Sequence, residues 1–295
     1  MTHSSSLALT ALGLGYCARH LVTTRPGLFS PVVGTARTAE GLARMPAGVR
    51  PLVFDGETLT AELAEALKST DILIVSAPPD MQGDPVLRLA GDVLAQSAVK
   101  QVVYLTTLGV YGDHQSGWVD EASETHGGSP RLQRRLDAEA QWTAFGAARG
   151  IAVGILRLAG IYGPGRNVLA QLRAGEARII DKPAQVFNRI HVEDVARAVV
   201  AVVEQRFDGI LNVTDDRPAA PGDPIAFGAG LLNLPPPPVV PFEEAAKAMS
   251  PMALTFWASS KKVSNTLLKE KLGVELAYPT YEEGLRALAE AGEGR

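Results

Sequence analysis

The sequence has little of several features that define whole classes of protein. Its 295 residues include a single cysteine, Cys17, which excludes an internal disulfide and a cysteine-based metal cluster. Only 6% of the residues are aromatic and 20% are charged, but 46% are hydrophobic, a balance typical of an ordered globular protein. Basic residues number 28 and acidic residues 32, so the net charge of −4 lacks the positive excess typical of nucleic-acid-binding proteins.

Long hydrophobic runs are also missing. No apolar run reaches the roughly 20 residues that a membrane-spanning helix needs. The apolar stretch from Leu7 to Leu14 resembles the core of a signal peptide, but no Lys or Arg precedes it. We therefore expect a soluble, cytoplasmic protein that binds neither membranes nor nucleic acid. Motifs of zinc peptidases (HExxH), serine hydrolases (GxSxG) and P-loop proteins (GxxxxGK[ST]) are absent from the sequence, and we expect no metal site.

Strand and helix patterns alternate along the first two-thirds of the chain. Short, β-branched apolar runs predict buried strands at Leu7–Leu12, Pro31–Ala36, Val49–Phe54, Ile72–Ser76, Val102–Thr106, Ile151–Leu156 and Ile210–Val213. Amphipathic segments predict helices at Tyr16–Thr24, Leu59–Lys68, Pro85–Ala98, Leu132–Arg149 and Glu193–Gln205. This alternation predicts an α/β fold of the Rossmann type, with a doubly wound parallel sheet covered by helices on both faces.

The composition changes after Val213. Prolines are frequent in residues 218–224 and form a run of four at 235–238, where a helix or a central strand is excluded. Shorter helical patterns follow at Val263–Leu272 and Thr280–Ala291. We predict a dinucleotide-binding Rossmann domain of residues 1–164 and 188–217. A smaller, mostly helical substrate-binding lobe would comprise residues 165–187 and 218–295.

The first predicted strand leads into a glycine-rich turn at the start of a helix. Residues 13–18 read Gly-Leu-Gly-Tyr-Cys-Ala, a GxGxxA pattern. Gly13 permits a tight turn, Gly15 lets the backbone approach a pyrophosphate, and Ala18 allows the helix to pack closely on the strand. The positive end of the helix dipole would face the phosphates. The pattern predicts a dinucleotide site that also includes Tyr16 and Cys17, although a packing role is the simpler interpretation of the cysteine.

The residues after the second predicted strand distinguish the two nicotinamide cofactors. An NAD site usually has Asp or Glu about 20 residues beyond the glycines, and the uncharged Thr35 stands there. Arg37 follows two residues later, then Thr38, and a guanidinium can pair with a 2′-phosphate. The pattern favours NADP over NAD, with a solvated arginine at a strand end as the alternative.

Several segments together resemble the extended short-chain dehydrogenase/reductase superfamily, the NAD(P)-dependent epimerase/dehydratase group. They are the GxGxxA turn, YLTTLGVYG at Tyr104–Gly112, LRLAGIYGPG at Leu156–Gly165 and RIHVEDV at Arg189–Val195. The sequence Ser-Ala-Pro-Pro at Ser76–Pro79 is similar to that of atypical members of the group. The resemblance implies a Rossmann fold, an NAD(P) cofactor and oxidoreductase chemistry on a small-molecule substrate.

The resemblance also implies roles for individual residues. Further cofactor contacts would come from Asp55, Ser76, Ala77, Pro78, Thr106 and Ile161. Asp55 would face the adenine, and Ile161 would border the nicotinamide and substrate. Thr107 matches the catalytic Ser/Thr of the family, four residues before Tyr111 of the VYG motif.

One departure from the family bears on the mechanism. The family carries YxxxK on the helix after the VYG segment, where the lysine lowers the pKa of the tyrosine and the phenol transfers a proton. Alignment on Glu139 places Arg131 at the tyrosine position and Arg135 at the lysine position, and no Tyr stands four residues before any Lys. Arginine stays protonated at accessible pH, so it can stabilise an oxyanion but is a poor general acid or base.

Three functions remain open at this point. The first is an NADP-dependent oxidoreductase that acts on a small carbonyl or hydroxyl compound. In it, Thr107 would bind the substrate oxygen and Arg131 or Arg135 would stabilise the negative charge. Unlike in the family, no tyrosine would transfer the proton. Candidate proton donors are Tyr111, Tyr162, His114, His126, His191 and water. The second is a nucleotide-sugar epimerase or dehydratase, which would predict an intact YxxxK. The third is a non-catalytic NADP-binding sensor. If the protein forms a homodimer, we expect helices on one face of the sheet to associate.

Overall fold

A computed structural model describes residues 6–294, and its elements alternate as the sequence predicts. The strands are β1 (Leu7–Leu12), β2 (Phe29–Ala36), β3 (Val49–Val53), β4 (Ile72–Val75), β5 (Gln101–Thr107), β6 (Trp118–Val119), β7 (Ala152–Leu158), β8 (Gly160–Tyr162), β9 (Ile179–Asp181), β10 (Arg189–His191), β11 (Gly209–Val213), β12 (Val239–Pro241) and β13 (Lys262–Val263). The α-helices are α1 (Tyr16–Thr24), α2 (Ala39–Ala43), α3 (Ala61–Lys68), α4 (Pro85–Ala95), α5 (Pro130–Arg149), α6 (Val168–Arg173), α7 (Val192–Glu204), α8 (Asp223–Leu231), α9 (Phe242–Ala245), α10 (Pro251–Trp257) and α11 (Tyr281–Glu290).

A seven-stranded sheet with the order β11-β7-β5-β4-β1-β2-β3 organises the fold. β1 pairs in parallel with both β2 and β4, and parallel pairing continues from β2 to β3 and from β4 to β5. The chain order therefore reverses at β1. Ligands of open parallel sheets bind beyond the carboxyl ends of the strands at such a reversal. The predicted α/β Rossmann-type fold is confirmed.

Backbone packing divides the chain into two units. The first runs to Thr107 and includes Pro130–Arg157 and Ala196–Leu211. The second comprises Leu108–Ser129, Leu158–Val195 and the chain from Asn212 onward. These divisions fall at other positions than the predicted domain boundaries, and the assignment of cofactor and substrate to separate domains stays a prediction.

The core of the first unit contains buried polar groups that fix α4 and α5. Asp84 caps α4, because one of its carboxylate oxygens accepts hydrogen bonds from the amides of Val86 and Leu87 at 2.9 and 3.0 Å. Its other oxygen accepts a bond from the indole N–H of Trp142 on α5 at 3.0 Å. Burial raises the pKa of Asp84, although these hydrogen bonds oppose the effect. α5 is thereby held in a defined position in the first unit.

The helix predicted at Val263–Leu272 is only partly present. Residues 262–263 form β13, which pairs with β6, and a π-helical turn covers only Leu267–Lys271. The amide of Val263 donates to Asn188 Oδ1 at 3.0 Å, and that of Ser264 donates to the carbonyl of Val119 at 2.8 Å. Strand pairing with β6 thus holds the start of this segment in an extended conformation, and the helical turn begins later than predicted.

Two other expectations concern regular structure. The proline run at residues 235–238 has neither helix nor strand, as predicted. β2 begins earlier than predicted, because Phe29 is buried and pairs with Leu7. Within residues 6–294, no helix has the length and hydropathy to cross a membrane.

Candidate functional site

Neighbouring strands hold the turn between β1 and α1, residues 13–15 (the glycine loop), in place. Gly13 has φ +89°, and a Cβ there would lie 2.8 Å from the hydroxyl of Ser76. Ser76 donates this hydroxyl to the Gly13 carbonyl at 2.5 Å, and the Gly13 amide donates to Thr35 Oγ1 at 2.8 Å. Gly13 is therefore glycine because of the backbone conformation and the close contact with Ser76.

Gly15 is glycine for a different reason. Its φ of −80° is accessible to any residue, and the nearest atom to a Cβ there would be the Gly13 carbonyl oxygen at 4.0 Å. Gly15 is exposed and is the N-cap of α1, yet no side chain caps this helix. Neither packing nor backbone strain requires glycine here. The open space above an uncapped helix N-terminus fits a pyrophosphate group.

The other residues predicted in this motif line the start of α1. Ala18 is buried, as close packing of the helix on the sheet requires. Tyr16 and Cys17 are half-buried in the first turn of α1. Their contact with a cofactor stays a prediction.

The end of β2 presents a cationic and not an acidic side chain. Thr35 is buried, and its hydroxyl shapes the glycine loop by accepting from Gly13 and donating to the Ala11 carbonyl at 3.4 Å. Arg37 follows β2 directly and is exposed. Thr38 accepts from the amide of Gly41 at 3.2 Å and caps α2. Of the predicted contacts here, only Arg37 has an exposed, charged side chain at the strand end.

Asp55 and the segment 76–78 follow β3 and β4. The Asp55 carboxylate accepts the amides of Glu57 and Thr58 at 2.8 and 2.9 Å, and these bonds lower its pKa. Asp55 is exposed, so its carboxylate can also reach a ligand. The Ser76 amide donates to the Leu12 carbonyl at 3.0 Å, as does that of Ala77 at 3.2 Å, and Pro78 is exposed beyond them.

The carboxyl end of β5 carries the adjacent hydroxyl residues Thr106 and Thr107. Thr106 is buried, and its hydroxyl has no hydrogen-bond partner among the residues that the structure describes. Leaving a buried hydroxyl unsatisfied costs about 1–3 kcal/mol, so a ligand or water is expected at this point. Thr107 is half-buried beside it.

The arginines predicted to replace YxxxK lie on the first two turns of α5. Arg135 Nη1 is 3.5 Å from the Leu105 carbonyl at the end of β5. The pKa of Arg131 is lowered by burial and by the positive charges of Arg135 and Arg134. Arg134 was not predicted, although its spacing of three residues from Arg131 places both on one helix face.

A buried ion pair fixes the same helix one turn later. Glu139 of α5 and Arg157 of β7 are joined at 2.7 Å, with side chains only 5% and 4% exposed. Arg157 also donates a hydrogen bond through Nε to the same carboxylate oxygen of Glu139 at 3.1 Å. The pair orients α5, and with it Arg131 and Arg135, against the sheet.

The second unit contains the remaining predicted site residues. Tyr111 is fully buried and its hydroxyl donates to Asn212 Oδ1 at 2.8 Å, so its proton already has an acceptor. Ile161 is half-buried on β8, opposite Ile190 of β10. Burial raises the pKa of Tyr162, which makes its phenol a weaker acid. The roles predicted for these residues stay predictions.

Histidines of the second unit make defined contacts. His114 and His126 have ring centroids 4.8 Å apart, and His191 accepts the amide of Glu193 at 3.2 Å through Nδ1. Within residues 6–294, no set of His, Cys, Asp or Glu side chains is grouped as a metal site would require.

Comparison with known proteins identifies the family. The model of the NAD-dependent epimerase/dehydratase family matches residues 85–213. The chain belongs to this family. It is an NAD(P)-binding protein with a Rossmann-type fold. The matched residues contain Thr107, Arg131 and Arg135 but not the glycine loop, so the assignment of the loop depends on its own geometry.

Individual relatives cover the chain to different extents. A solved structure of a functionally unknown conserved protein from Silicibacter pomeroyi DSS is 40% identical, with a TM-score of 0.85 over 97% of this chain and 100% of that chain. Protein YeeZ of Escherichia coli strain K12 is 27% identical over 91% of this chain and 95% of its own length. A 3-diazoavenalumate denitrifying reductase from a Streptomyces species is 28% identical over 162 residues. That match spans only 53% of either chain, about half.

Proposed function

We propose that this family member is an NADP-dependent oxidoreductase that reduces a small carbonyl compound, or oxidises the corresponding alcohol, without a tyrosine acid. The observation that carries the proposal is the glycine loop. Thr35 and Ser76 hold it in shape, and Gly15 leaves open space above an uncapped helix N-terminus. A loop that served only as a turn would not require glycine at position 15.

Arg37 supports NADP as the cofactor. Its exposed guanidinium directly follows β2, where an NAD site usually carries a carboxylate for the ribose hydroxyls. The hydroxyl at position 35 is buried and engaged by the loop, so it does not replace that carboxylate. A guanidinium would pair with the 2′-phosphate of NADP through charge-assisted hydrogen bonds, which are stronger than a hydrogen bond to the uncharged 2′-hydroxyl of NAD.

The reaction needs a hydride, which the nicotinamide supplies when bound, and a group that stabilises the developing alkoxide. Thr107 would donate a hydrogen bond to the substrate oxygen. Arg131 and Arg135, on the helix that packs beside β5, would stabilise its negative charge. The oxygen would receive its proton from water, because arginine stays protonated and the Tyr111 hydroxyl donates to Asn212. Addition of the hydride to the carbonyl carbon and of the proton to its oxygen gives the alcohol.

One relative supports a reductase over the other two functions. The Streptomyces relative is named as a reductase, although the match covers about half of either chain. A nucleotide-sugar epimerase of this family would use the tyrosine that Arg131 replaces. A sensor would bind the cofactor without turnover, and the experiment below separates it from an enzyme.

Calorimetric titration with NADPH, NADP⁺, NADH and NAD⁺ tests the proposal, after removal of any cofactor that the protein retains from expression. We expect selective binding of the two phosphorylated forms. Arg37→Ala should weaken NADPH binding by more than about tenfold, or about 1.4 kcal/mol, and change NADH binding little. Equal losses for both cofactors would refute the NADP assignment. Absence of binding by the folded protein would refute the oxidoreductase, and binding without turnover on an aldehyde, ketone and imine panel would favour the sensor.

A further inference from the structure

Arg131, Arg134 and Arg135 form a group of positive charge on α5, called here the α5 arginine cluster. Residues three and four positions apart lie on the same face of a helix, so the three side chains are neighbours. All three are half-buried. The charges of Arg134 and Arg135 contribute, with burial, to the lowered pKa of Arg131, which shows that the like charges are close.

Arg134 has an unusual environment for a half-buried guanidinium. Its Nη1 lies 3.2 Å from the thioether sulfur of Met81, a weak and uncharged acceptor. Its Nε is buried and, among the residues the structure describes, has no hydrogen-bond partner. Burial of a cationic donor without an acceptor is unfavourable, so an anion that pairs with this guanidinium through Nε would stabilise the arrangement.

The positive charge of Arg135, unlike that of Arg134, is offset by nearby groups of the protein. It lies close enough to the buried Asp84 for its positive charge to oppose the raised pKa of that carboxyl group. Arg135 also approaches the Leu105 carbonyl at 3.5 Å. Negative charge and a carbonyl dipole from the first unit therefore already offset Arg135, whereas Arg134 faces Met81.

The cluster lies next to the proposed reaction site. Met81 follows the Ser76–Pro79 segment at the carboxyl end of β4 and is 85% exposed. Leu105 immediately precedes Thr106 and Thr107 at the carboxyl end of β5. Arg134 thus occupies the strand-end edge of the first unit, on the side of the Met81 segment.

We propose that Arg134, with the neighbouring charge of Arg131, binds a carboxylate or phosphate group of the substrate, separate from the carbonyl group that is reduced. This inference rests on the proposed function, since it assigns the substrate class for the same site. A planar guanidinium pairs with either anion through two parallel hydrogen bonds. The substrate is an aldehyde or ketone that carries an anionic group, and binding of that group completes the hydrogen bonds of Arg134.

Matched aldehydes test the substrate class. The three probes are 4-carboxybenzaldehyde, 4-formylphenyl phosphate and methyl 4-formylbenzoate, each assayed for oxidation of NADPH. The ester is neutral, and its aldehyde carbonyl is at least as electrophilic as the aldehyde carbonyl of 4-carboxybenzaldehyde. We expect a higher kcat/KM for an anionic probe than for the ester, and the better anion distinguishes carboxylate from phosphate recognition.

Arg134→Gln should lower kcat/KM for the preferred anionic probe by about 10–100-fold, mainly through KM, and change that for the ester less than about threefold. Arg50→Gln, which removes the same charge from an exposed position on β3, should leave the probe preference unchanged. Thr107→Ala should instead lower kcat for every probe, since it acts at the carbonyl. Equal kcat/KM of the wild-type protein for ester and anions would overturn the inference, as would equal losses in Arg134→Gln.

Calorimetric titration with benzoate and with phenyl phosphate, each with and without NADPH, keeps the inference separate from the proposed function. If NADPH binds but no aldehyde is reduced, the oxidoreductase fails, while binding of either anion that Arg134→Gln abolishes still supports the anion site. If neither anion binds, or if both bind equally to Arg134→Gln, the anion site is refuted, whatever the outcome for turnover.

Discussion

At the scale of single residues, the two glycines of the loop differ in what requires them. Gly13 has a positive φ and no room for a Cβ beside Ser76. Gly15 has an ordinary backbone and open space. Their shared place in a sequence motif conceals this difference, since one is needed by the fold and the other only by a ligand.

This contrast predicts separable effects of two substitutions. Gly15→Val should leave the free energy of unfolding within about 0.5 kcal/mol of wild type, because surface changes rarely exceed that, but weaken NADPH binding at least tenfold. Gly13→Ala should destabilise the fold by about 1–3 kcal/mol through backbone strain and contact with Ser76. Urea unfolding and NADPH titration of both variants measure the two effects. Unchanged NADPH affinity in Gly15→Val would contradict our assignment of the loop.

At the scale of secondary-structure elements, α5 has the central role in the site. Its first turns carry the α5 arginine cluster, and its later turns are fixed by the Asp84–Trp142 hydrogen bond and the Glu139–Arg157 pair. The sequence predicted this helix at Leu132–Arg149, and it begins at Pro130. The helix was predictable because its pattern is local, but the two anchors were not, because their partners come from distant segments.

Removing one partner of the buried ion pair should be strongly destabilising. Arg157→Met leaves the Glu139 carboxylate buried without its cation, at a cost of about 3–5 kcal/mol. The double variant Glu139→Met with Arg157→Met should recover most of that loss, because no charge then remains buried. Urea unfolding at neutral pH measures both. A double variant as unstable as the single one would show that packing, and not charge, is the main contribution of the pair.

At the scale of the whole molecule, the stability of the fold depends on pH through a buried carboxyl group of the second unit, that of Asp215. Asp215 is 1% exposed, and burial raises its pKa to about 8 even though the nearby Arg189 charge opposes the rise. One carboxyl oxygen accepts the amide of Arg217 at 3.2 Å. The other has no hydrogen-bond partner within residues 6–294. Burial therefore favours the protonated form of Asp215 in the folded protein at neutral pH.

The sign of the pH effect follows from proton uptake. Between the ordinary carboxyl pKa of 3.8 and about 8, the folded state holds a proton on Asp215 that the unfolded chain releases. Stability therefore falls as pH rises through this range. Asp215→Asn, which is neutral at every pH, should flatten the profile and be more stable than wild type at pH 8. Urea unfolding at several pH values tests this against Asp92→Asn, an exposed control on α4 that should follow the wild-type profile.

The sequence by itself determined the fold class, the family and the glycine loop. These features are encoded locally: β1 and α1 have the predicted bounds because an apolar run, two glycines and an amphipathic segment follow in order. It also identified the loss of YxxxK, which is a matter of residue type alone. Residue types did not predict which partner each side chain would have.

Only the tertiary structure decided those partners. Thr35, predicted to contact the cofactor, uses its hydroxyl to shape the loop, and Val263, predicted to begin a helix, pairs with β6 as part of β13. Arg134 became a candidate because folding places its guanidinium beside Met81, 53 residues away in the chain. Long-range contacts of this kind depend on how elements pack, since the burial and hydrogen bonding of a side chain are set by neighbours that its local sequence does not specify.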